Sequence, residues 1–192
     1  MKTLLLSAAV LAAAIMPTAA SAQAVPAAVI AVVDLERVTA SCNACKTANA
    51  ALTSQVNALK TRQQTLAAPL STEGQALEAA GKALNGKAPD AALQARAKAY
   101  QTKLQQAQQE MARQEEQIRR NQAYIQKQIG DKLGPIYQQV MTRRGANVLL
   151  EAGTTLASSN SVDVTNDVLA GLNSALPTIA TTAPATQQPQ GR

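Results

Sequence analysis

Two long heptad series separated by one short turn limit the fold of this chain more than any other feature of its sequence. In the first series, apolar residues recur at alternating four- and three-residue steps, with polar Gln63 and Glu73 at two of the positions. This spacing predicts a helix whose apolar edge needs a partner along its whole length. The apolar members of the series are Leu52, Val56, Leu59, Leu66, Leu70, Leu77 and Leu84.

The second series continues the same steps without a slip after a turn, Gly81 to Asp90, that contains glycine and proline. Two limbs of similar length joined by one turn are expected to fold back on each other as an antiparallel coiled coil. At 1.5 Å per residue each limb would reach roughly 50 Å, which predicts a hairpin that projects from the rest of the chain. The members of the second series are Leu93, Ala97, Tyr100, Leu104, Ala107, Met111, Gln114, Ile118, Asn121 and Ile125.

The composition agrees with an extended helical protein. Hydrophobic residues make up 46% of the chain, but alanine supplies many of them, and the chain has three tyrosines and no phenylalanine or tryptophan. A large single core is therefore not available, and stability is expected to depend on oligomerisation. The net charge is +6, and the positive charge concentrates on the hairpin, which favours anionic partners.

Residues 1–24 have the pattern of a cleavable secretory signal. Lys2 precedes an apolar stretch, Leu4 to Met16, and the small residues Ala20-Ser21-Ala22 follow, so we expect cleavage before Gln23 or Val25. An uncleaved membrane anchor is the alternative, but the apolar stretch is short for a bilayer span of about 20 residues. The mature protein is therefore predicted to be exported and soluble.

Outside the hairpin, β-branched runs predict strands at residues 29–33 and 146–150, and a third strand at 154–157 would form a hairpin across residues 151–153. The resulting sheet would lie at the base of the helical hairpin. Thr165 is a candidate N-cap for a short helix that follows it. From Pro177 onward the sequence is rich in Thr, Ala, Pro and Gln without periodicity, which predicts a disordered tail.

Two prolines lie within the predicted limbs. Pro69 in the first limb and Gly134-Pro135 in the second are expected to kink or interrupt their helices, with Thr72 and Gln75 forming a capping box beyond Pro69. Each kink could be a joint that lets the hairpins move apart to widen a cavity between them, or it could be a static bend.

Two motifs have the spacing of enzyme sites. Cys42-Asn43-Ala44-Cys45 is a C-x-x-C pair, and this spacing fits a local or inter-subunit disulfide, two buried thiols or a redox site. A redox site of the thioredoxin type would need a βαβ pattern around it, and the sequence shows none. The turn sequence Gly81 to Ala88 is similar to a P-loop motif, but Ala88 replaces the hydroxyl residue that holds magnesium.

Because the chain has no histidine, Ser-His and Cys-His nucleophiles are excluded, and we expect no enzyme activity, metal or cofactor. Nucleic-acid binding is disfavoured by export and by the lack of aromatic residues.

The chain resembles the Skp/OmpH family of periplasmic chaperones for outer-membrane proteins. The resemblance rests on the run from Ile30 to Val38 after a signal peptide, the long hairpin, and the closing blocks Gly145 to Leu150, Ser161 to Thr165, Val168 and Leu172-Asn173. It implies a homotrimer in which strands from three chains form a small barrel and three hairpins hang from it as tentacles. The cavity between the tentacles would hold an unfolded membrane protein without ATP.

The expected architecture is α+β, with a small β-barrel base and a coiled-coil tentacle. The segments are a signal peptide (1–24), a discontinuous β-rich trimerisation base (25–50 and 135–176), the hairpin (51–134) and a disordered tail (177–192). The predicted trimerisation residues are Ile30, Val32, Val33, Val148, Leu149 and Leu150. The predicted client-binding residues are Lys60, Arg62, Leu77, Lys82, Leu84, Lys87, Leu93, Arg96, Lys98 and Lys103.

The expected function is an ATP-independent holdase in the periplasm of a Gram-negative-type cell. Its partners would be unfolded outer-membrane β-barrel proteins, two further copies of the chain, and anionic lipid or lipopolysaccharide as an additional candidate. The alternatives are a structural coiled-coil spacer or adaptor of the envelope and, third, a thiol oxidoreductase that uses Cys42 and Cys45.

Overall fold

The computed structural model describes residues 25–184, so the predicted signal peptide lies outside the described residues. The fold is mostly helical, with two long helices and one pair of short strands. In chain order the elements are β1 (Ile30–Val33), α1 (Leu35–Ser41), α2 (Asn43–Ala83), α3 (Ala91–Arg144), β2 (Val148–Glu151), two single 3-10 turns (Ala152–Thr154 and Asn160–Val162) and α4 (Thr165–Ala175). Within residues 25–184, every helix is too short or too polar to cross a bilayer.

Helices α2 and α3 form the predicted antiparallel hairpin. Every apolar member of the two heptad series is at least partly buried, and Ala107 and Ile125 are buried. The polar member Asn121 is buried as well. The turn is shorter than predicted, because α2 extends to Ala83 and α3 begins at Ala91. Asp90 is the N-cap of α3, and its carboxylate accepts a hydrogen bond from the Leu93 amide at 2.8 Å. The limbs are also unequal, since α3 has 54 residues against 41 in α2 and runs on into the base.

The prolines do not interrupt the limbs, so of the sequence-based expectation the interruption is wrong and the kink stays a prediction. Both α2 and α3 continue through Pro69 and Pro135. The capping box predicted beyond Pro69 is absent from the described chain, because the Thr72 hydroxyl donates to the Ala68 carbonyl within the same helix at 3.1 Å. Packing against α3 along the seam holds α2 together at the position where proline removes a backbone hydrogen bond.

The hydrophobic core lies at the base, where α1, α3 and α4 pack under the sheet. Val38, Val140, Val168 and Leu172, which come from these three helices, have no exposed surface. Gly171 lets α4 lie directly on α3, because a Cβ atom at this position would approach Cγ2 of Ile136 to 2.8 Å. These core residues belong to one buried cluster, which extends to Leu133 of α3 and does not include the seam residues Ala107 and Ile125.

The two strands pair in parallel, with Ile30 opposite Val148 and Val32 opposite Leu150. A single bridge between Val32 and Asp163 adds to the other edge of β1. The predicted third strand at 154–157 is wrong: a 3-10 turn precedes irregular chain there. The hydroxyls of Thr154 and Thr155 donate to carbonyls three residues earlier, which stabilises a turn in place of a strand.

Helix α4 starts one residue earlier than expected. Val164 is the N-cap, and the predicted capping residue, Thr165, is buried and accepts a hydrogen bond from the Asp34 amide at 2.9 Å. The Asp163 carboxylate accepts from the Thr165 amide and pairs with Arg37, each at 2.8 Å. These bonds tie the start of α4 to the end of β1.

The segment for which composition predicts disorder is not uniform. Residues 177–184, which we name the C-terminal strap, lie along the hairpin, and residues 185–192 lie outside the described part of the chain. Leu176, just before the strap, is buried, and Ile179 packs against the base core. The composition of the strap does not indicate that it is ordered, because what holds it is two apolar anchors and hydrogen bonds between its backbone and polar side chains of the hairpin.

Candidate functional site

The basic residues predicted to bind clients fall into three groups on the hairpin. Four lysines are exposed and form no ion pair within residues 25–184: Lys60, Lys87, Lys98 and Lys103. Lys82 pairs with Glu78 one helical turn away at 2.6 Å. The four unpaired lysines give the outer part of the hairpin a positive surface that is available to a partner.

Arg62 and Arg96, in contrast, join the two limbs. The Arg62 guanidinium donates to both carboxylate oxygens of Glu110, at 2.6 and 3.0 Å. Arg96 does the same with Glu73, at 2.7 and 3.0 Å. Such two-point contacts fix the relative position of planar groups, so these arginines hold the register of α2 against α3.

The hydrogen bonds from the two arginines lower the pKa of Glu73 and Glu110 below the ordinary glutamate value. A carboxyl group with a lowered pKa in the folded state stabilises that state at pH above its unfolded pKa, and the contribution disappears as pH falls through the lowered value. The two ion pairs should therefore hold the limbs at neutral pH and release them in acid.

Replacing both glutamates (Glu73→Gln with Glu110→Gln) is expected to lower the thermal midpoint at pH 7, and this loss should shrink as pH falls through the lowered pKa of the native carboxyls. Circular dichroism melts at several pH values measure the difference. The control is Glu115→Gln, an exposed carboxylate that forms no ion pair within the described chain. A difference between double variant and wild type that does not change with pH would contradict this role.

A cavity of about 510 Å³ lies between the two limbs beside these ion pairs. Its wall includes Pro69 of α2 and Tyr100 of α3, and Lys103 stands at its edge as an exposed cation. Its lining residues are Arg62, Leu66, Pro69, Leu70, Glu73, Tyr100, Lys103, Gln106, Ala107 and Glu110. A cavity with an apolar wall and charged side chains at its edge could hold an apolar side chain of a partner weakly.

The three predicted client-binding leucines, Leu77, Leu84 and Leu93, lie toward the turn and are half-buried. They belong to the two heptad series, so each contributes to the contact between the limbs. Part of each side chain still reaches solvent, and only that part is available to a partner.

The six residues predicted to form the trimerisation base divide between the two faces of the sheet. Val33 and Leu149 pack in the core of the protomer. Because partners in a parallel pair share a face and side chains alternate along a strand, the other four, Ile30, Val32, Val148 and Leu150, form the opposite face, which we name the outer face. Val32 is buried, but Ile30 is 45% and Leu150 37% exposed. A sheet that is apolar on both faces is typical of one covered on both sides.

Cys42 and Cys45 form a disulfide at the junction of α1 and α2. Both residues are buried in the core of the base, and Cys42 Sγ accepts a hydrogen bond from the Cys45 amide at 3.2 Å. Thiol exchange requires attack on an accessible sulfur, which burial prevents. The disulfide therefore fixes the bend between α1 and α2.

The residues that sequence reasoning missed are the amides that hold the strap: Gln55, Asn121 and Gln128. One signal was present, because Gln114 and Asn121 interrupt the apolar heptad series of α3 and Gln128 is its next member. A polar amide at a seam position lowers coiled-coil stability unless it has a specific partner.

Comparisons with known proteins agree with this geometry. A family model described as "Outer membrane protein (OmpH-like)" matches residues 29–172. A crystal structure from Caulobacter crescentus CB15, of a protein proposed to be an OmpH-like outer membrane chaperone, has the same fold with a TM-score of 0.69 and 18% identity. That likeness covers 88% of this chain and 98% of the other. A search of curated proteins found no match.

Proposed function

The chain belongs to the OmpH-like family of outer membrane proteins, and from this membership we propose that it is an ATP-independent periplasmic holdase chaperone for unfolded outer-membrane proteins. The observation that carries the proposal is the extent of the family match, which includes both the base and the whole hairpin. The resemblance noted in the sequence is thereby confirmed. The structural relative from Caulobacter crescentus supports the same reading through its fold.

In this proposal the active form is a homotrimer whose sheets combine in a small barrel. Two features support association at the sheet: the apolar outer face, and the far edge of β2, which no strand pairs within residues 25–184. An unpaired strand edge is a template for pairing with another chain. Three hairpins would then project from one base and enclose a cavity.

The hairpin surface suits weak and repeated contact with a client. Each exposed lysine and each partly exposed leucine offers a contact that exchanges quickly, while many such contacts together retain an unfolded chain. The positive surface would also speed the capture of acidic clients by electrostatic attraction, and it makes anionic lipid or lipopolysaccharide a second candidate partner.

The alternative is a structural coiled-coil spacer of the cell envelope. Continuous helices through both prolines and the two interlimb ion pairs favour a stiff hairpin, as that reading requires. A thiol oxidoreductase is disfavoured because the disulfide is buried.

Light scattering after dilution of a urea-unfolded outer-membrane protein separates these functions. We expect the full-length mature protein, without nucleotide, to suppress aggregation, and we expect capture to slow as salt screens the lysines. A variant with Lys60, Lys98 and Lys103 changed to Gln should capture more slowly and lose most of that salt dependence. Unchanged aggregation in the presence of the wild-type protein would favour the spacer.

A further inference from the structure

The C-terminal strap is bound to the hairpin through its backbone. Among the described residues, no side chain of the strap forms a hydrogen bond, whereas its main-chain groups form four with hairpin amides. The apolar anchor Ile179 packs against the base at the start of the strap. Every residue except proline carries both backbone groups, so apart from excluding proline at the two N–H positions these hydrogen bonds do not depend on the sequence of the bound segment.

Gln128 binds both main-chain groups of one strap residue, Ala180. Its amide nitrogen donates to the Ala180 carbonyl at 2.9 Å, and its amide oxygen accepts from the Ala180 N–H at 3.0 Å. The side chain thus offers the strap the same donor and acceptor that a neighbouring β-strand would offer.

Two further amides continue the recognition along the hairpin. Gln55 donates to the Thr181 carbonyl at 3.2 Å, and Asn121 accepts from the Ala183 N–H at 2.8 Å. Asn121 is only 3% exposed and is oriented by hydrogen bonds with Gln55 and Gln117, at 2.8 and 2.7 Å. We name Gln55, Asn121 and Gln128 the amide ladder.

The spacing of the ladder matches an extended chain. Asn121 and Gln128 are seven residues apart on α3, or about 10.5 Å along the helix axis. Their partners, Ala183 and Ala180, are three residues apart, which spans about 10 Å in an extended backbone. A heptad of helix therefore presents one amide for every three residues of an extended segment.

We propose that the amide ladder is a binding site for extended polypeptide backbone, which the strap occupies in cis and which a segment of an unfolded client occupies in trans after displacing the strap. The identity of the trans ligand rests on the proposed holdase function. The tethered strap competes at millimolar effective concentration, so it limits access to the site without closing it permanently.

A variant of the full chain with Ala180→Pro and Ala183→Pro tests the competition. Proline removes the two N–H donors of the strap and is compatible with an extended backbone, while the ladder stays intact. We expect this variant to bind an unfolded outer-membrane protein about three- to tenfold more tightly than wild type, because a competitor at millimolar effective concentration is weakened. Adding Gln128→Leu should remove the gain. Adding Gln126→Leu, an exposed glutamine of the same helix without a strap contact, should preserve it.

The same variants test the site without any client. A blocked peptide with the sequence of residues 176–184 should shift the side-chain amide signals of Gln55 and Gln128 in nuclear magnetic resonance spectra of the proline variant, at millimolar concentration. A peptide in which the other residues are scrambled around the two fixed prolines should do so too, whereas the Gln55 signal should not shift in the variant that also carries Gln128→Leu.

The two hypotheses fail in different ways. Failure of all forms to bind the client, together with peptide-induced shifts, would overturn the holdase function and retain the backbone site. Client affinity in the proline variant equal to or weaker than that of wild type, in a protein that does bind client, would overturn the competition. Absence of any peptide-induced shift would overturn the site itself.

Discussion

The double substitution Ile30→Glu with Leu150→Glu is expected to convert the proposed homotrimer to monomers and to abolish protection of an unfolded outer-membrane protein. Both side chains lie on the outer face of the sheet, where they are partly exposed in the protomer. In the proposed trimer the same side chains would be covered by neighbouring subunits. A carboxylate buried there without a partner costs several kcal/mol, and each subunit would introduce two. The protomer should still fold, because its own core lies on the opposite face.

Sedimentation velocity and the aggregation assay measure the two parts of this prediction. The matched control places the same two charges on the base but away from the sheet, with Gln139→Glu and Ser174→Glu, which are exposed on α3 and α4. The control should remain trimeric and active. A glutamate variant at Ile30 and Leu150 that still sediments as a trimer would place the subunit interface elsewhere.

Shortening Leu172 to alanine is expected to destabilise the base by about 2–5 kcal/mol. Leu172 has no exposed surface and lies in the cluster that joins α4 to α3. Because the total stability of a domain is about 5–15 kcal/mol, this loss is a large part of it. Gly171 already lets α4 lie against Ile136, so the helices have little room to move closer and fill the cavity.

Urea unfolding at one fixed protein concentration measures this loss, since oligomerisation makes stability depend on concentration. Leu172→Met, which conserves volume, should cost less than about 1.5 kcal/mol. Equal effects of alanine and methionine would mean that the site is not closely packed.

The hairpin was predictable because a coiled-coil seam repeats a local rule many times. Every apolar heptad position from Leu52 to Ile125 predicts the same helical hairpin, so the polar residues Gln63 and Asn121 at two of these positions do not change the prediction. The apolar runs that became β1 and β2 were similarly clear, although their parallel pairing joins residues more than a hundred positions apart. Local sequence predicts that a strand forms, while tertiary packing selects its partner.

Local patterns failed where side chains compete with the backbone. Thr154 and Thr155 have high strand propensity, yet their hydroxyls stabilise a turn. Arg62 and Arg96 resembled the other basic residues in sequence, and only the antiparallel register places Glu110 and Glu73 beside them. The position of the strap could not be predicted from its own composition, because the strap is bound through its backbone atoms. The sequence feature that indicates this contact lies on the hairpin, in the side-chain amides that bind the strap.

Native mass spectrometry of the mature protein tests the central claim most directly, alone and after dilution of a urea-unfolded outer-membrane protein into it. The holdase account predicts a homotrimer, and a complex of one homotrimer with one client in the absence of nucleotide. A monomer or dimer that carries no client would contradict it.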